Sequence, residues 1–308
     1  MKKSSSSIKY NIILYQDRNI KDERINEGFK SIYKGLKIKY PNLSILLLKF
    51  CDFKLIDCDY AFIWNAQSYA KSCTNYRKQV IDYQKKNNNK TIVIELGFIN
   101  RSLYYSIGFN HISNFGSYPK FPDDLNRLNK LNISIKNINY DNNPNRHILF
   151  CTQVPWDTQV QDIDYNKWII DSLNELKKYT KRKILVRTHP KHKTKKGYCK
   201  YDDNFFNKNN LKVDISNNTL EEDFKNCYCV IAYNSTILVD AIISGIPIIS
   251  GSDTSIVSDI TIKDFSKIEN LPKILQIKIV KCLALVAYKQ WNVDEIINGE
   301  PFEYYIKY

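Results

Sequence analysis

The sequence predicts an α/β protein built from two halves of the same architecture, and three observations carry that prediction. Short apolar runs alternate with segments of helical periodicity, the pattern of a parallel sheet covered by helices. The alternation stops at a polar stretch, YDNNPNRH (140–147), and then starts again. Of the 308 residues, 43% are hydrophobic, which is enough for a sizeable core. No apolar run reaches the ~20 residues that a membrane-spanning helix needs.

The chain opens with MKKSSSSIKY, which has two lysines and no apolar stretch before the first strand. It reads as a disordered lead-in (1–8) and not as a signal peptide. In the first half, YNIILY (10–15), SILLLKF (44–50), YAFIWN (60–65) and TIVIE (91–95) are expected strands. Segments 24–38 and 70–86 are expected helices. The linker is expected in 140–147, where Asn-Pro occurs without periodicity. In the second half, HILFC (147–151), KILVR (183–187), LKVDIS (211–216), CYCVIAY (227–233) and IPIIS (246–250) are expected strands. Helices are expected over 165–180, 219–226 and 235–244, and one or two more over 278–305. The expected domains are thus 9–142 and 143–284, each Rossmann-like, with a terminal segment 285–308.

The eight cysteines include no C-x-x-C pair, and several lie in apolar runs. This argues for reduced thiols in a cytoplasmic protein and against a zinc ribbon or a secreted disulfide framework. The formal net charge is +14. It is compatible with attraction to DNA or to anionic sugar nucleotides, and equally with a Lys-, Asn- and Ile-rich compositional bias. The densest basic cluster runs from Lys177 to Lys200.

Four stretches carry candidate chemistry. In VRTHPKHK (186–193), Arg187, His189, Pro190, Lys191 and His192 follow an apolar run and fall at a strand's carboxyl end, where open α/β sheets bind ligands. Arg, Lys and His there can donate charge-assisted hydrogen bonds to a phosphate, each contributing about 1.5–3 kcal/mol. The stretch also reads as a solvated basic loop, but two of the chain's four histidines fall in it. In YNSTILVDAIISGIP (233–247), Asn234, Ser235 and Thr236 fall between a buried strand and the next helix. Ser235 or Thr236 can cap that helix, and its first-turn N–H groups can hold an anion. Asp240 accepts from a ribose hydroxyl or faces solvent, and Gly245 ends the helix before Pro247. Together the two stretches suggest that the polar tips of two neighbouring strands grip one phosphate-bearing group.

In IELGFINRSLYYSIGF (94–109), Glu95 ends a strand of the first half. Gly97 allows close approach of a ligand, and Arg101 holds a phosphate or orients Glu95. A carboxylate so placed can take the proton of an acceptor hydroxyl, and it can equally be a strand-ending Glu paired with Arg101. In FCTQVPWDTQVQD (150–162), Gln153 and Asp157 are candidate contacts from the other side of a cleft, or members of an ordinary loop. The D-x-D of Asp57 to Asp59 precedes a strand and so lies away from the ligand end, and no metal is called for.

RTHP, followed by NSTILVDAIISGIP, resembles the donor half of the GT-B glycosyltransferases, in particular capsule-polysaccharide Kdo transferases and bacterial sialyltransferases with HP and Ser/Thr motifs. The resemblance implies that His189, Pro190, Ser235 and Thr236 hold the nucleotide phosphate. The family's acid-acid-Gly motif is similar to ELG, where Leu96 replaces one acid and leaves Glu95 as the catalytic carboxylate. Adding TQVPWD and YKQWNVDEIINGEPF, the pattern is most similar to a phage and large-virus branch, some members of which are thought to glycosylate hydroxymethylated pyrimidines in DNA. The resemblance spans about residues 90 to 305. It implies two domains facing across a cleft, and a terminal helix with Tyr288, Gln290 and Trp291 crossing back to the first domain. The activity implied is metal-independent transfer from a nucleotide sugar, which is a substrate and not a cofactor. The implied acceptor is a DNA base, with a glycan acceptor or a non-catalytic nucleotide-binding relative as alternatives. For a DNA acceptor, the rings of YYSIGFNHISNFGSY (104–118) are expected to stack on bases.

Overall fold

The computed structural model describes residues 10–16, 23–49, 54–66, 76–155, 157–160, 163–189 and 201–307. Pro190, Lys191 and His192 of the basic stretch, and the lead-in 1–8, lie outside the described residues. The chain divides into two compact units. One comprises Met1–Pro122 with Ala287–Tyr308, and the other Asp123–Val286. Segment 123–142, assigned to the first half by its sequence, therefore packs in the second unit.

The first unit holds β1 (Tyr10–Gln16), β2 (Ile45–Lys49), β3 (Cys58–Trp64), β4 (Lys90–Leu96) and β5 (Tyr104–Phe109). β2, β1, β3 and β4 lie side by side and run parallel. Parallel neighbours need crossover connections, and helices Glu23–Lys39 and Tyr76–Lys86 lie in two of them. β1 and β3 are buried on both faces, which is why they read as unbroken apolar runs. β5 is antiparallel to β4 and was missed in the sequence. Its tight approach depends on Asn100, whose φ of 48° lies in the left-handed region that Asn tolerates.

The second unit holds β6 (His147–Cys151), β7 (Ile184–Arg187), β8 (Asp214–Ile215), β9 (Cys227–Ala232) and β10 (Ile248–Ser250). All are parallel, in the order β10-β9-β6-β7-β8. That is the doubly wound order of a Rossmann-like half, with the reversal of winding between β6 and β9. Helices Tyr165–Tyr179, Asp203–Lys208, Leu220–Lys225 and Ile237–Ile243 occupy the crossovers. β8 is shorter than LKVDIS suggests, because only Asp214 and Ile215 pair with β7. The helix after β9 starts at Ile237, two residues later than its apolar pattern implies. It ends as expected: Gly245 has a φ of 77°, and the Ile246 N–H donates to the Ala241 carbonyl.

Beyond the helix Gln276–Tyr288, Gln290–Asn292 form a short strand, β11, where the sequence led us to expect helix. It pairs antiparallel with β5 and completes the first sheet, with Trp291 1% exposed in that unit's core. Short helices Val293–Ile297 and Phe302–Tyr305 follow.

The polar stretch 140–147 is tied down inside the second unit and is not an open linker. Arg182, itself buried, donates to the carbonyls of Asn142 and Arg146 (3.3 Å each) and to that of Asn143, and lies 3.7 Å from the centre of the Tyr228 ring. Its Nε sits 3.2 Å from the Glu269 carboxylate. Arg182→Met leaves these acceptors without their cation, and we expect it to cost about 3 kcal/mol of stability, read as a lowered urea midpoint.

Candidate functional site

The five described strands of the second unit point the same way, so their carboxyl ends share one edge. On that edge β6 is followed by Thr152 and Gln153, β7 by Thr188 and His189, β9 by Asn234, Ser235 and Thr236, and β10 by the serine- and threonine-rich loop 251–255. The tips that carry His189 and Ser235 are not neighbours, since β6 lies between them. Two strand spacings separate their axes, roughly 10 Å. The reversal between β6 and β9 falls at the centre of this row, where doubly wound sheets bind ligands.

Asn234 is the hub of the edge. Its Oδ1 accepts from Gln153 Nε2 (3.0 Å) and its backbone N–H donates to Gln153 Oε1 (3.2 Å). Its Nδ2 donates to the Gln159 carbonyl (2.8 Å) and to Thr254 Oγ1 (2.9 Å). Gln153 and Asn234 are both buried, and the Gln153 N–H donates to the Tyr165 hydroxyl. Burial pushes the Tyr165 hydroxyl and the Cys151 thiol well up, so both stay neutral. The two amides proposed as ligand contacts are instead spent on joining the β6 tip to the β9 tip.

Two further candidates are also engaged within the unit. The Asp157 carboxylate accepts from the Gln159 N–H (3.0 Å), an Asx turn that opens the 3₁₀ turn Thr158–Val160. Arg187 Nη1 sits 2.7 Å from Asp223 Oδ2 and also donates to the Asn218 carbonyl. Asp223 is fully buried and also accepts from Ser216 Oγ and Asn218 Nδ2, so Arg187 is the cation that makes its burial tolerable. His189, Ser235, Thr236 and Asp240 remain half-exposed on or near the edge. Ser235 Oγ accepts from the Ile237 N–H at 3.4 Å, whereas Thr236, at the N-cap, makes no side-chain cap.

Two residues that sequence reasoning passed over stand on the same edge. Thr152 Oγ1 and both amide atoms of Gln159 are buried without a hydrogen-bond partner. A signal for Gln159 was present: the tripeptide TQV occurs at 152–154 and again at 158–160.

Four lysines in and near the basic cluster lie away from this site. Lys177, Lys181, Lys183 and Lys212 line a cavity of about 680 Å³ beside the first residues of β7 and β8, at the amino edge of the sheet. Burial, and then the neighbouring Lys212 charge, lower the Lys177 pKa.

In the first unit, Glu95 is the penultimate residue of β4, and its Oε1 accepts from the Leu96 N–H (3.1 Å). Gly97 has a reason of its own for being glycine. A Cβ there would lie 2.8 Å from Tyr104 Cβ and 3.1 Å from Gln290 Oε1, so the close approach is by β5 and β11 and not by a ligand. Gln290 is fully buried, and its Oε1 accepts from the N–H groups of Phe98 and Ile99 (2.8 Å each) while its Nε2 donates to the Ile99 carbonyl (3.0 Å). Arg101 is exposed beyond this turn. Tyr105 is buried with its hydroxyl on the Arg24 carbonyl, and Tyr118 donates to the Ser113 carbonyl and packs against the core. These rings are therefore part of the unit's packing and not a base-stacking surface. Asp57 and Asp59 accept from Asn89 and Asn11 near the start of β3, and no cluster of metal-ligating side chains occurs among the described residues.

No family model and no curated protein matches the chain. Among solved structures it is similar to the β-Kdo 2,7-transferase KpsC of Thermosulfurimonas dismutans, at 12% identity over 94% of this chain and 98% of that one, with a TM-score of 0.48. A UDP-GlcNAc 2-epimerase of Methanocaldococcus jannaschii gives 12% identity over 80% of this chain and 85% of that one, with a TM-score of 0.30. The wall teichoic acid polymerase TagF gives 14% over 79% and 70%, with a TM-score of 0.24. Likenesses this loose carry no function, and the architecture rests on the strand order itself.

Gln290→Leu leaves the Phe98 and Ile99 N–H groups buried without their acceptor. The expected result is a loss of about 2–3 kcal/mol and faster hydrogen exchange at those two amides than in the neighbouring strand β4.

Proposed function

We propose that the chain is a metal-independent GT-B glycosyltransferase that moves a sugar from a nucleotide sugar to an acceptor hydroxyl. The observation that carries the reading is the row of polar strand tips on the carboxyl edge of the second unit, centred on the reversal of winding. His189 on one side of β6, and Ser235 and Thr236 on the other, flank the space that the donor's phosphate would fill. Donors aimed at the leaving phosphate stabilise the charge that develops there in the transition state. Asn234 and Gln153 fix the spacing of the tips, and Arg187 braces the β7 tip through Asp223. In the first unit, Glu95 is the carboxylate assigned to take the acceptor's proton, near the end of β4 and just before the turn held by Gln290. Pro190, Lys191 and Asp240 remain candidates for donor contact through the family resemblance alone.

A DNA-base acceptor now rests on the resemblance and on the net charge of +14. A glycan acceptor makes no demand on that charge. Both readings place the protein in a cytoplasm, where nucleotide sugars are made.

Titration calorimetry with nucleoside phosphates and nucleotide sugars tests the donor half. One nucleotide sugar should bind, and the double substitution Ser235→Ala with Thr236→Val should weaken it tenfold or more. Glu95→Gln should leave that affinity intact and slow transfer by about 100-fold or more. A wild-type chain that binds no nucleotide defeats the proposal. Binding to duplex DNA between about 50 and 200 mM salt tests the acceptor half. A log–log slope steeper than about −4 is expected for a DNA acceptor, and a flat response favours the glycan.

A further inference from the structure

We infer that Gln159 and Thr152 bind the part of the donor that presents a hydrogen-bond acceptor beside a hydrogen-bond donor, separately from the phosphate; this rests on the nucleotide-sugar reading above. Buried polar groups in native proteins have partners in the great majority of cases, and an exception calls for a cause. Here three such atoms occur on one edge: Thr152 Oγ1, with the residue 4% exposed, and Gln159 Oε1 and Nε2, with the residue 9% exposed.

Their position is defined by backbone bonds. The Thr152 N–H donates to the Arg187 carbonyl, which puts Thr152 beside the end of β7. The Gln159 carbonyl accepts from Asn234 Nδ2, which puts Gln159 beside the tip of β9. They therefore lie between the tips that carry His189 and Ser235. The Gln159 backbone is held on both sides, by Asp157 at its N–H and by Asn234 at its carbonyl, so the point from which the amide projects is fixed. Its polar neighbours are already committed. Gln153 and Asn234 bond each other, and Thr254 bonds Asn234 and Ser252.

The chemistry of the three atoms selects the ligand class. A primary amide needs an acceptor for its NH₂ and a donor for its carbonyl, and a hydroxyl serves as either. A phosphate offers acceptors only and would leave Gln159 Oε1 unmet. Two parts of a nucleotide sugar have the required pair, the edge of a nucleobase and the adjacent hydroxyls of the sugar ring.

The test measures thermal stability and affinity for wild type, Gln159→Leu, Gln159→Glu and Thr152→Val. Probes are inorganic pyrophosphate, the common nucleoside mono- and diphosphates, and the uridine, cytidine and guanosine nucleotide sugars. Replacing an unmet amide by an apolar group of similar shape is neutral or stabilising. Without any probe, Gln159→Leu should therefore melt at the wild-type temperature or above. It should bind the preferred nucleotide sugar at least tenfold more weakly, with pyrophosphate binding unchanged. Weakening shared by the corresponding nucleoside phosphate assigns the base edge, and weakening confined to the nucleotide sugar assigns the sugar hydroxyls. Wild-type affinity in all three variants, whatever their melting temperatures, overturns the inference and leaves the donor proposal standing. A wild type that binds none of the nucleotides or nucleotide sugars overturns both.

Discussion

The reciprocal amide bridge between Gln153 and Asn234 is the constraint on which the edge of the second unit depends. It crosses the one place in a doubly wound sheet where two adjacent connections leave in opposite directions and no crossover helix fills the gap between them. Left unbridged, the tips of β6 and β9 would be two independent loops. Tied together, and tied onward to Gln159 and Thr254, they form a single rigid rim. Both amides are buried and satisfied, so the rim is costly to distort. Gln159 and Thr254 take their positions on the edge from this bridge.

A second buried network supports the rim from the β7 side. Asp223 sits fully buried under Arg187, Ser216 and Asn218, which couples β7 to the loop after β8. A buried carboxylate of this kind does little for net stability but fixes geometry, because removing any partner strands a charge. The structure thus spends several residues with catalytic-looking chemistry on holding the edge in shape. His189, Ser235 and Thr236 stand half-exposed on the same edge.

The sequence made the strands legible because parallel strands are buried on both faces and leave unbroken apolar runs, as in IILY and CVIA. It made the edge legible because polar residues follow those runs at once. It could not show which polar residue faces inward. Asn234, Gln153, Asp157 and Arg187 all have the composition of ligand contacts, and their bonding partners lie up to 81 positions away in the chain. Gln290 and Trp291 were read as helical because they follow a long apolar helix. The strand they form is imposed by pairing with β5, a tertiary effect that local periodicity does not record. Of the rings in 104–118, which look like a stacking platform when counted, Tyr105, Phe109 and Tyr118 prove to pack on the core when placed.

The contribution of β11 to the first sheet also has a bearing on biosynthesis. The second unit is continuous in sequence and has its five described strands as soon as residue 250 leaves the ribosome, whereas the first lacks β11 and the Gln290 clasp until residues 290–292 have been made. Vectorial folding usually favours the N-terminal domain. Here the order is inverted: the unit whose strands begin first is the later one to be completed, and the turn that follows Glu95 is locked only when Gln290 arrives.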